Sequence, residues 1–500
     1  MEVSSVVENN GDMKKQKENS KRFNYSILVG FAILCCSSLY AQTEAVSAAV
    51  ENEENNTVIE ATTPVNELEG EAYLNEFYKK LYHLEQKKQG RVSVVHIGDS
   101  HIQADLLTGK LRTLFQSNFG NAGLGFTFPY KLAKTNGNHF VRYTSNVPWT
   151  AYRNIYPING ATVGLSGIAF TTTQKDFALE VEVRESPYNF TKLKVFSPEK
   201  QAAFDVAISE KKVLVESTEP KNITHKIKHG ESLSTIARKY KISVNQLKRA
   251  NNLTTNLIRI DKILKIPTQE RVSKPIEKST FTPIALEAHE GWFQYTSANA
   301  LSRVYLIPHT ESVSYNLNGL SLENDEAGVV YHNIGVNGAR FSDYNKYPLF
   351  FEQLNGLEPD LIVLSMGTNE AFDKMQAADF QQQVDLFVER VRKSMPTVEI
   401  LITTPTPSLL PRKQPNTYAE GYADSMKEKA SFSNYALWDA FHIMGGNEKV
   451  HDNFASGLLS RDFVHYSKMG YEHTADLLYE ALMRAYANYK TTYLSAKDEL

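Results

Sequence analysis

Cysteine is almost missing from this chain. Of five hundred residues only Cys35 and Cys36 carry a thiol, and both lie in an apolar stretch near the N-terminus. With that stretch removed, no disulfide, thiolate zinc site or cysteine nucleophile can be built. The residues before the pair do not form a lipoprotein processing pattern. Basic residues are not in excess: the formal net charge is −3, which leaves no electrostatic footprint for nucleic acid. The longest N-terminal apolar run, Tyr25 to Tyr40, falls short of the ~20 residues that a spanning helix needs. The histidines do not fall at metal-ligand spacing, so His96, His101 and His332 read as packing or hydrogen-bonding residues, and no metal or cofactor is expected.

What the N-terminus does contain is a charge–apolar–small pattern. Lys14, Lys15, Lys17, Lys21 and Arg22 precede the apolar run, which closes with Leu39-Tyr40-Ala41. This reads as a secretory signal over residues 1–41, cleaved after Ala41, with Met13 an alternative start. No stable membrane span is expected once it is cleaved. Residues 42–69, rich in Glu, Thr, Asn and Ala, read as a flexible linker. The terminal Lys497-Asp-Glu-Leu500 spells an endoplasmic-reticulum retrieval signal and is read as a coincidence.

Length suggests two to four domains, and 42% hydrophobic residues is ordinary for a globular protein. A helix is expected over roughly 70–88, with Leu74, Phe77, Leu81 and Leu84 on one face and Gly90 past its end. The organising stretch follows. Val92-Ser-Val-Val-His-Ile97 reads as a buried parallel strand, and Leu106, Leu107, Leu111, Leu114 and Phe115 recur at helical spacing. Gly98-Asp99-Ser100 therefore occupies a strand-to-helix turn, at the sheet edge where ligands bind. A helix N-terminus there favours developing negative charge.

Alone, such a tripeptide is most simply a capped turn. Three later segments change its weight. Gly335-Val-Asn-Gly338 follows the apolar run Val329–Ile334, and Gly367-Thr-Asn369 follows Asp360–Ser365. A further strand is expected at Val398–Thr403 and a helix near 376–394. Asp462-Phe-Val-His465 precedes a C-terminal helix with Leu477, Leu478, Leu482 and Tyr486 inward. Two glycines usually mean only a tight turn, and a lone Asp-x-x-His a surface loop. Serine, though, needs a base within hydrogen-bond reach. His465 is the candidate base, and Asp462 would hold its tautomer.

These blocks, Gly98-Asp99-Ser100-His101 included, resemble the four sequence blocks of the SGNH/GDSL hydrolases. The form with His after the serine looks most like the bacterial peptidoglycan O-acetylesterases. The resemblance covers residues 90–125 and 330–485. It implies an α/β fold: an SGNH-type, flavodoxin-like parallel sheet with helices on both faces. It also implies Ser100, Asp462 and His465 as the catalytic set, with an oxyanion hole from the N–H groups of Ser100 and Gly338 and the amide of Asn369.

Between these blocks, from 126 to 328, the rhythm turns to period two. Strands are expected at Phe177–Val183, Lys192–Phe196, Val213–Val215 and Arg303–Ile307. Asn318-Gly319 between Tyr315–Leu317 and Leu320–Leu322 signals a two-residue hairpin. This is a β-rich insert, sandwich-like; the resemblance implies a jelly-roll module in this place. Residues 223–268 interrupt it. His225–Ala237, Tyr240, Ile242–Val244, Leu247, Asn251 and Ile263–Pro267 follow a strand–helix–helix–strand pattern, with Ser232 and Ser243 placed as helix caps. Leu233, Ile236, Leu247 and Ile258 can fill a small core. This unit resembles a LysM domain, which implies binding of N-acetylglucosamine-containing glycans through Gly230, Glu231, Ser232, Leu233, Asn252, Leu253 and Ile258. Glu231 stands where Asp is usual, and Asp261-Lys262 replaces Gly-Gln; Asp tolerates the turn geometry. Residues 219–224 and 268–280 read as flanking connectors.

The domain reading is therefore 1–41 signal, 42–69 linker, 70–125 and 329–490 hydrolase, 126–222 and 269–328 β-rich insert, 223–268 LysM, and 491–500 tail. The function expected is an exported serine esterase that removes O-acetyl groups from cell-wall carbohydrate, foremost O-acetylated peptidoglycan. It would work in the periplasm, the cell envelope or the medium of a bacterium. The alternatives are a non-catalytic wall-binding scaffold with an inactive hydrolase domain, or an esterase for another polysaccharide or a lipid. The sequence has no long apolar lid segment that would favour lipids.

Overall fold

The computed structural model describes residues 64–498, apart from 157, 210–218, 273–280, 310, 311 and 431. The signal, residues 42–63 of the linker, the strand expected at Val213–Val215 and the last two residues of the Lys-Asp-Glu-Leu terminus lie outside the described residues. A six-stranded sheet organises the hydrolase portion. Its spatial order is Leu68–Glu69, Ala436–Trp438, Glu399–Thr403, Leu361–Ser365, Arg91–Gly98, Gly328–Gly335. The last five run parallel and the first is an antiparallel edge. Among the parallel strands Arg91–Gly98 comes first in the chain. Its two neighbours lead in opposite directions, so the order switches between Arg91–Gly98 and Leu361–Ser365, which opens a crevice at their carboxyl ends.

Residues alternate across this sheet. On one face Val92 and Val94 join Leu107, Leu111 and Phe115 of the helix Leu106–Phe119 and Leu478, Leu482 and Tyr486 of the helix Lys468–Asp498. On the other, Val95 and Ile97 meet Phe380, Val384, Phe387 and Val391 of the helix Ala377–Ser394. Two helical layers thus cover one sheet. No helix among the described residues is long and apolar enough to cross a membrane.

The β-rich insert contains two five-stranded antiparallel sheets and a three-stranded one. Val181, Val206 and Val304 of one five-stranded sheet share a buried cluster with Leu193, Val195 and Leu322 of the other. Inside it lies a small antiparallel ladder, Glu219–Lys226 with Ile263–Val272, and two seven-residue helices, Leu233–Lys239 and Val244–Ala250. Both helices carry capping boxes, begun by Ser232 and Ser243. Leu233, Ile236, Leu247, Leu264 and Ile266 form a separate core.

Several expectations need correction. Tyr315–Asn316 and Gly319–Glu323 do not pair with each other. The first pairs with Ile168–Thr172, the second with Phe190–Phe196 and Gly123–Thr127. Asn318 donates through its side chain to the Thr162 carbonyl and through its backbone to Phe196. Both bonds tie the chain into a crossover between sheets, where Asn-Gly would otherwise close a hairpin. The linker ends before 68, because Leu68–Glu69 pairs with Leu437–Trp438. The tail does not begin at 491, because the last helix continues to Asp498. The connectors at 219–224 and 268–272 are strand, since the ladder reaches Glu219 opposite Val272.

Candidate active site

Ser100 starts a single helical turn, Ser100–Gln103, directly after the strand Arg91–Gly98. Asp99 is the N-cap, its Oδ1 accepting the His101 N–H at 2.9 Å. Gly98 is required by close packing: a Cβ there would lie 2.3 Å from Ile102 and 2.6 Å from the Ser365 carbonyl. The turn is therefore pressed against its own strand, with Ser100 at the carboxyl edge.

The Ser100 Oγ lies 2.9 Å from His465 Nε2. The other ring nitrogen, Nδ1, lies 2.8 Å from Asp462 Oδ2. Asp462 Oδ1 accepts the backbone N–H groups of Val464 and His465, both at 3.0 Å. Phe463 takes a left-handed φ of 59°, which curls the loop so that aspartate and histidine face each other. Partial burial pushes the Asp462 carboxyl up, but the hydrogen bonds from the imidazole and the two N–H groups outweigh it and hold its pKa below the ordinary value. The anion is kept where it can orient an imidazole and stabilise the imidazolium. Ser100, His465 and Asp462 thus form one continuous hydrogen-bonded line.

The strand Gly328–Gly335 lies beside Arg91–Gly98 in register, Gly335 opposite Gly98. Gly338, with φ of 84°, is two residues past Val336, whose N–H bonds to the Gly98 carbonyl. A left-handed φ here favours glycine. Asn369 lies in the first turn of the short helix Thr368–Phe372, which follows the strand Leu361–Ser365 on the other side of Arg91–Gly98. Its amide nitrogen donates to Asp99 Oδ2 at 3.1 Å and to the Ala339 carbonyl at 3.0 Å. The amide is well oriented, yet both its protons have acceptors, so donation to an oxyanion requires one of these to give way.

Three contributors were not legible as such in the sequence. Burial pushes the Asp99 carboxyl up to about 7, against the His101 N–H and the charge of His465. His101 stacks on His465, ring centroids 5.2 Å apart, and meets the Tyr471 hydroxyl through Nδ1 at 3.1 Å. Burial, with the nearby His465, lowers its pKa to about 3, so it packs as a neutral ring. Gln103 is fully buried. Its Oε1 accepts the Asn337 N–H and its Nε2 donates to Thr135 and Asn136. Ser100 and Gln103 are three apart on one helical turn, the only sequence signal that pointed to it. His96 bonds Tyr331 and Ser365, and His332 accepts from Phe126 N–H, as interior hydrogen-bonding residues do.

In the small ladder unit, Glu231 Oε2 accepts from His225 Nε2 and the Lys228 N–H, both at 2.8 Å. Those bonds, Lys228's first, lower its pKa. The Leu233 side chain is buried in the core, Ser232 is a cap, and Gly230 and Asn252 hold left-handed turns. Leu253 and Ile258 pack partly against that core. Glu231 and Ser232 thus make hydrogen bonds within the unit while Leu233 belongs to its core.

Residues 318–473 match the GDSL-like Lipase/Acylhydrolase family, and residues 225–267 match the LysM domain. The first match contains Gly338, Asn369, Asp462 and His465; Ser100 reaches them through the fold. The solved structure of a peptidoglycan O-acetylesterase superposes with a TM-score of 0.57 at 19% identity, covering 83% of this chain and 96% of that one. A lipase/acylhydrolase from Enterococcus faecalis aligns with a TM-score of 0.26 at 23% identity, covering 31% of this chain and 77% of that one. No curated protein matches the sequence.

Proposed function

We propose that this chain, a carboxylic ester hydrolase with a GDSL-like acylhydrolase domain and a LysM domain, is an exported O-acetylesterase of cell-wall carbohydrate, foremost O-acetylated peptidoglycan. The observation that carries the reading is the line from Ser100 Oγ to His465 Nε2 to Asp462. Ser100 attacks the acetyl carbonyl while His465 takes its proton. The resulting oxyanion is met by the N–H groups of Ser100 and Gly338 and by Asn369. Each such donor is worth roughly 2.7–4 kcal/mol in comparable sites. As the tetrahedral intermediate collapses, the C–O bond to the sugar breaks, and His465 returns its proton to the leaving alkoxide. Water, deprotonated by the same imidazole, then attacks the acetyl-serine and releases acetate.

The substrate class rests on the LysM match, since LysM units bind glycans containing N-acetylglucosamine, and on the basic–apolar N-terminus, which fits an enzyme working in the cell envelope or outside the cell. In the same reading the two packed β-sheets of the insert are a jelly-roll-like module that carries the LysM unit. The test is acetate release from O-acetylated sacculi. The wild type should release acetate and Ser100→Ala should not. A wild type that cleaves small acetyl esters yet leaves sacculi untouched would sink the substrate assignment.

A further inference from the structure

The formal charge of −3 on the whole chain hides an uneven division. Residues 223–268 hold ten lysines and arginines against two acids, Glu231 and Asp261, a formal charge of +8. Glu231 is engaged inside the unit by His225 and the Lys228 N–H. Among the described residues, Lys226 alone of the ten has a carboxylate at ion-pair distance, that of Asp261 at 2.8 Å. So much charge of one sign on so small a unit draws a partner of the other sign, at a range set by salt.

Aliphatic side chains stand in the same place. Leu257 is 84% exposed, Ile260 53% and Ile263 65%, and the three fall within seven residues. Side chains alternate along a strand. Leu264 and Ile266 belong to the unit's core, so Ile263 and Lys265 lie on the outer face of the ladder. Their register partners there are Lys226 and Thr224. The turn that carries Ile260 is tied to the same edge: the Asp261 N–H bonds to the Ile227 carbonyl, and the Ile227 N–H to the Lys262 carbonyl. Leu257 precedes Ile258, which packs partly against the core. The aliphatics are thus flanked by Lys226, Arg259, Lys262 and Lys265, all exposed. Single exposed apolar residues are ordinary, but a cluster rimmed by polar ones marks an interaction face. A soluble polyanion would meet these charges and leave the aliphatics in water. A lipid surface meets both: apolar tips enter the boundary between headgroups and acyl chains, while Lys and Arg stay with the phosphates and lay their stems along it.

We propose that the outer face of this ladder, with its turn, docks on a phospholipid surface bearing anionic headgroups. Ile260 and Ile263 enter the headgroup boundary with Leu257 beside them, and Lys226, Arg259, Lys262 and Lys265 meet the phosphates. None of these seven is among the residues that the LysM resemblance assigns to glycan. The inference therefore goes beyond the glycan-esterase reading and does not depend on it. An enzyme held in this way works on material that borders a membrane, and its hold weakens as salt rises.

The chain from Gln42 onward, free of an apolar run that would bind lipid by itself, is sedimented with three partners. These are vesicles of phosphatidylglycerol and phosphatidylcholine in equal parts, vesicles of phosphatidylcholine alone, and sacculi; polyphosphate serves as a soluble polyanion. Anionic vesicles should bind about tenfold more tightly than neutral ones, and high salt should remove most of the difference. Ile260→Thr with Ile263→Thr leaves the charge alone. It should weaken binding to anionic vesicles about tenfold, and leave polyphosphate binding, sacculus pull-down and p-nitrophenyl acetate turnover as they were. Lys262→Gln with Lys265→Gln should weaken the hold on anionic vesicles and polyphosphate alike. No preference for anionic lipid, or vesicle binding indifferent to the two isoleucines, would overturn the docking face. A loss on sacculi equal to that on vesicles would overturn it too, and give the patch to glycan.

Discussion

Ser100 and His465 lie 365 positions apart in the chain, with Oγ and Nε2 2.9 Å apart in space. Groups that act as a unit give non-additive losses. Ser100→Ala and His465→Ala should each remove nearly all esterase turnover, by roughly 10⁴-fold or more, and the double variant should be no worse. Initial rates on p-nitrophenyl acetate check this; a double variant much slower than either single one would mean that they act separately. Glu370 offers a second test, of stability. Burial pushes its carboxyl up to about 8, with Asp99 adding to the effect, although the Phe341 N–H opposes it. The folded state then holds a proton that the unfolded chain releases near the ordinary 4.5. The stabilising contribution is fully present below that value and is lost as pH rises toward 8. Urea midpoints should therefore fall between pH 5 and pH 8, and Glu370→Gln, which keeps the acceptor for Phe341, should flatten that fall. An equal slope in both proteins would contradict it.

At the scale of elements, the helix Leu106–Phe119 is tied to the strand Gly328–Gly335 through Arg112, whose charge is paired with Asp105 at the helix's own N-terminus. Arg112 and Asp105 side chains are each 1% exposed, joined by two hydrogen bonds of 2.9 and 3.0 Å, and Arg112 Nε also reaches the Tyr331 carbonyl. Removing one partner strands a charge, at a cost of about 3–5 kcal/mol. Asp105→Ala should lose that much by denaturant unfolding, whereas the exposed pair Lys79–Glu76 should change stability by under ~1 kcal/mol when broken. Elements of this kind were largely legible. Val92–Ile97 announced its strand because both faces are buried, and Leu107, Leu111 and Phe115 announced their helix by spacing. What could not be read was pairing across distance. Asn318-Gly319 has the local chemistry of a hairpin, but bonds to Thr162 and Phe196 override it. For the same reason Ser100, Asp462 and His465 could be named from their blocks. Gln103 could not, because its meaning comes from the insert folding back against Asn337.

For the whole molecule, the question is what a LysM unit does within an esterase. An insoluble wall limits catalysis by how long the enzyme stays on it. A unit that holds the same glycan makes later encounters intramolecular, at an effective concentration in the millimolar range for a short tether. The topology makes the idea testable without breaking the surrounding sheet. The chain leaves one strand at Ile208 and re-enters at Thr282, and these two residues are register partners in adjacent antiparallel strands. The unit between them has its own core, built on Leu233, Ile236, Leu247, Leu264 and Ile266. Replacing residues 210–280 by a two-residue Asn-Gly turn, which keeps Phe281 in its buried contact with Tyr305, should therefore close the ladder as a hairpin. With the unit gone, kcat/KM on p-nitrophenyl acetate should stay within about twofold, while sacculus pull-down weakens and acetate release from sacculi slows by about tenfold or more. Equal losses on both substrates would make the unit structural. No loss on either would mean that Glu231, Asp261 and Lys262 mark a unit that no longer holds glycan, leaving recognition to the β-rich insert.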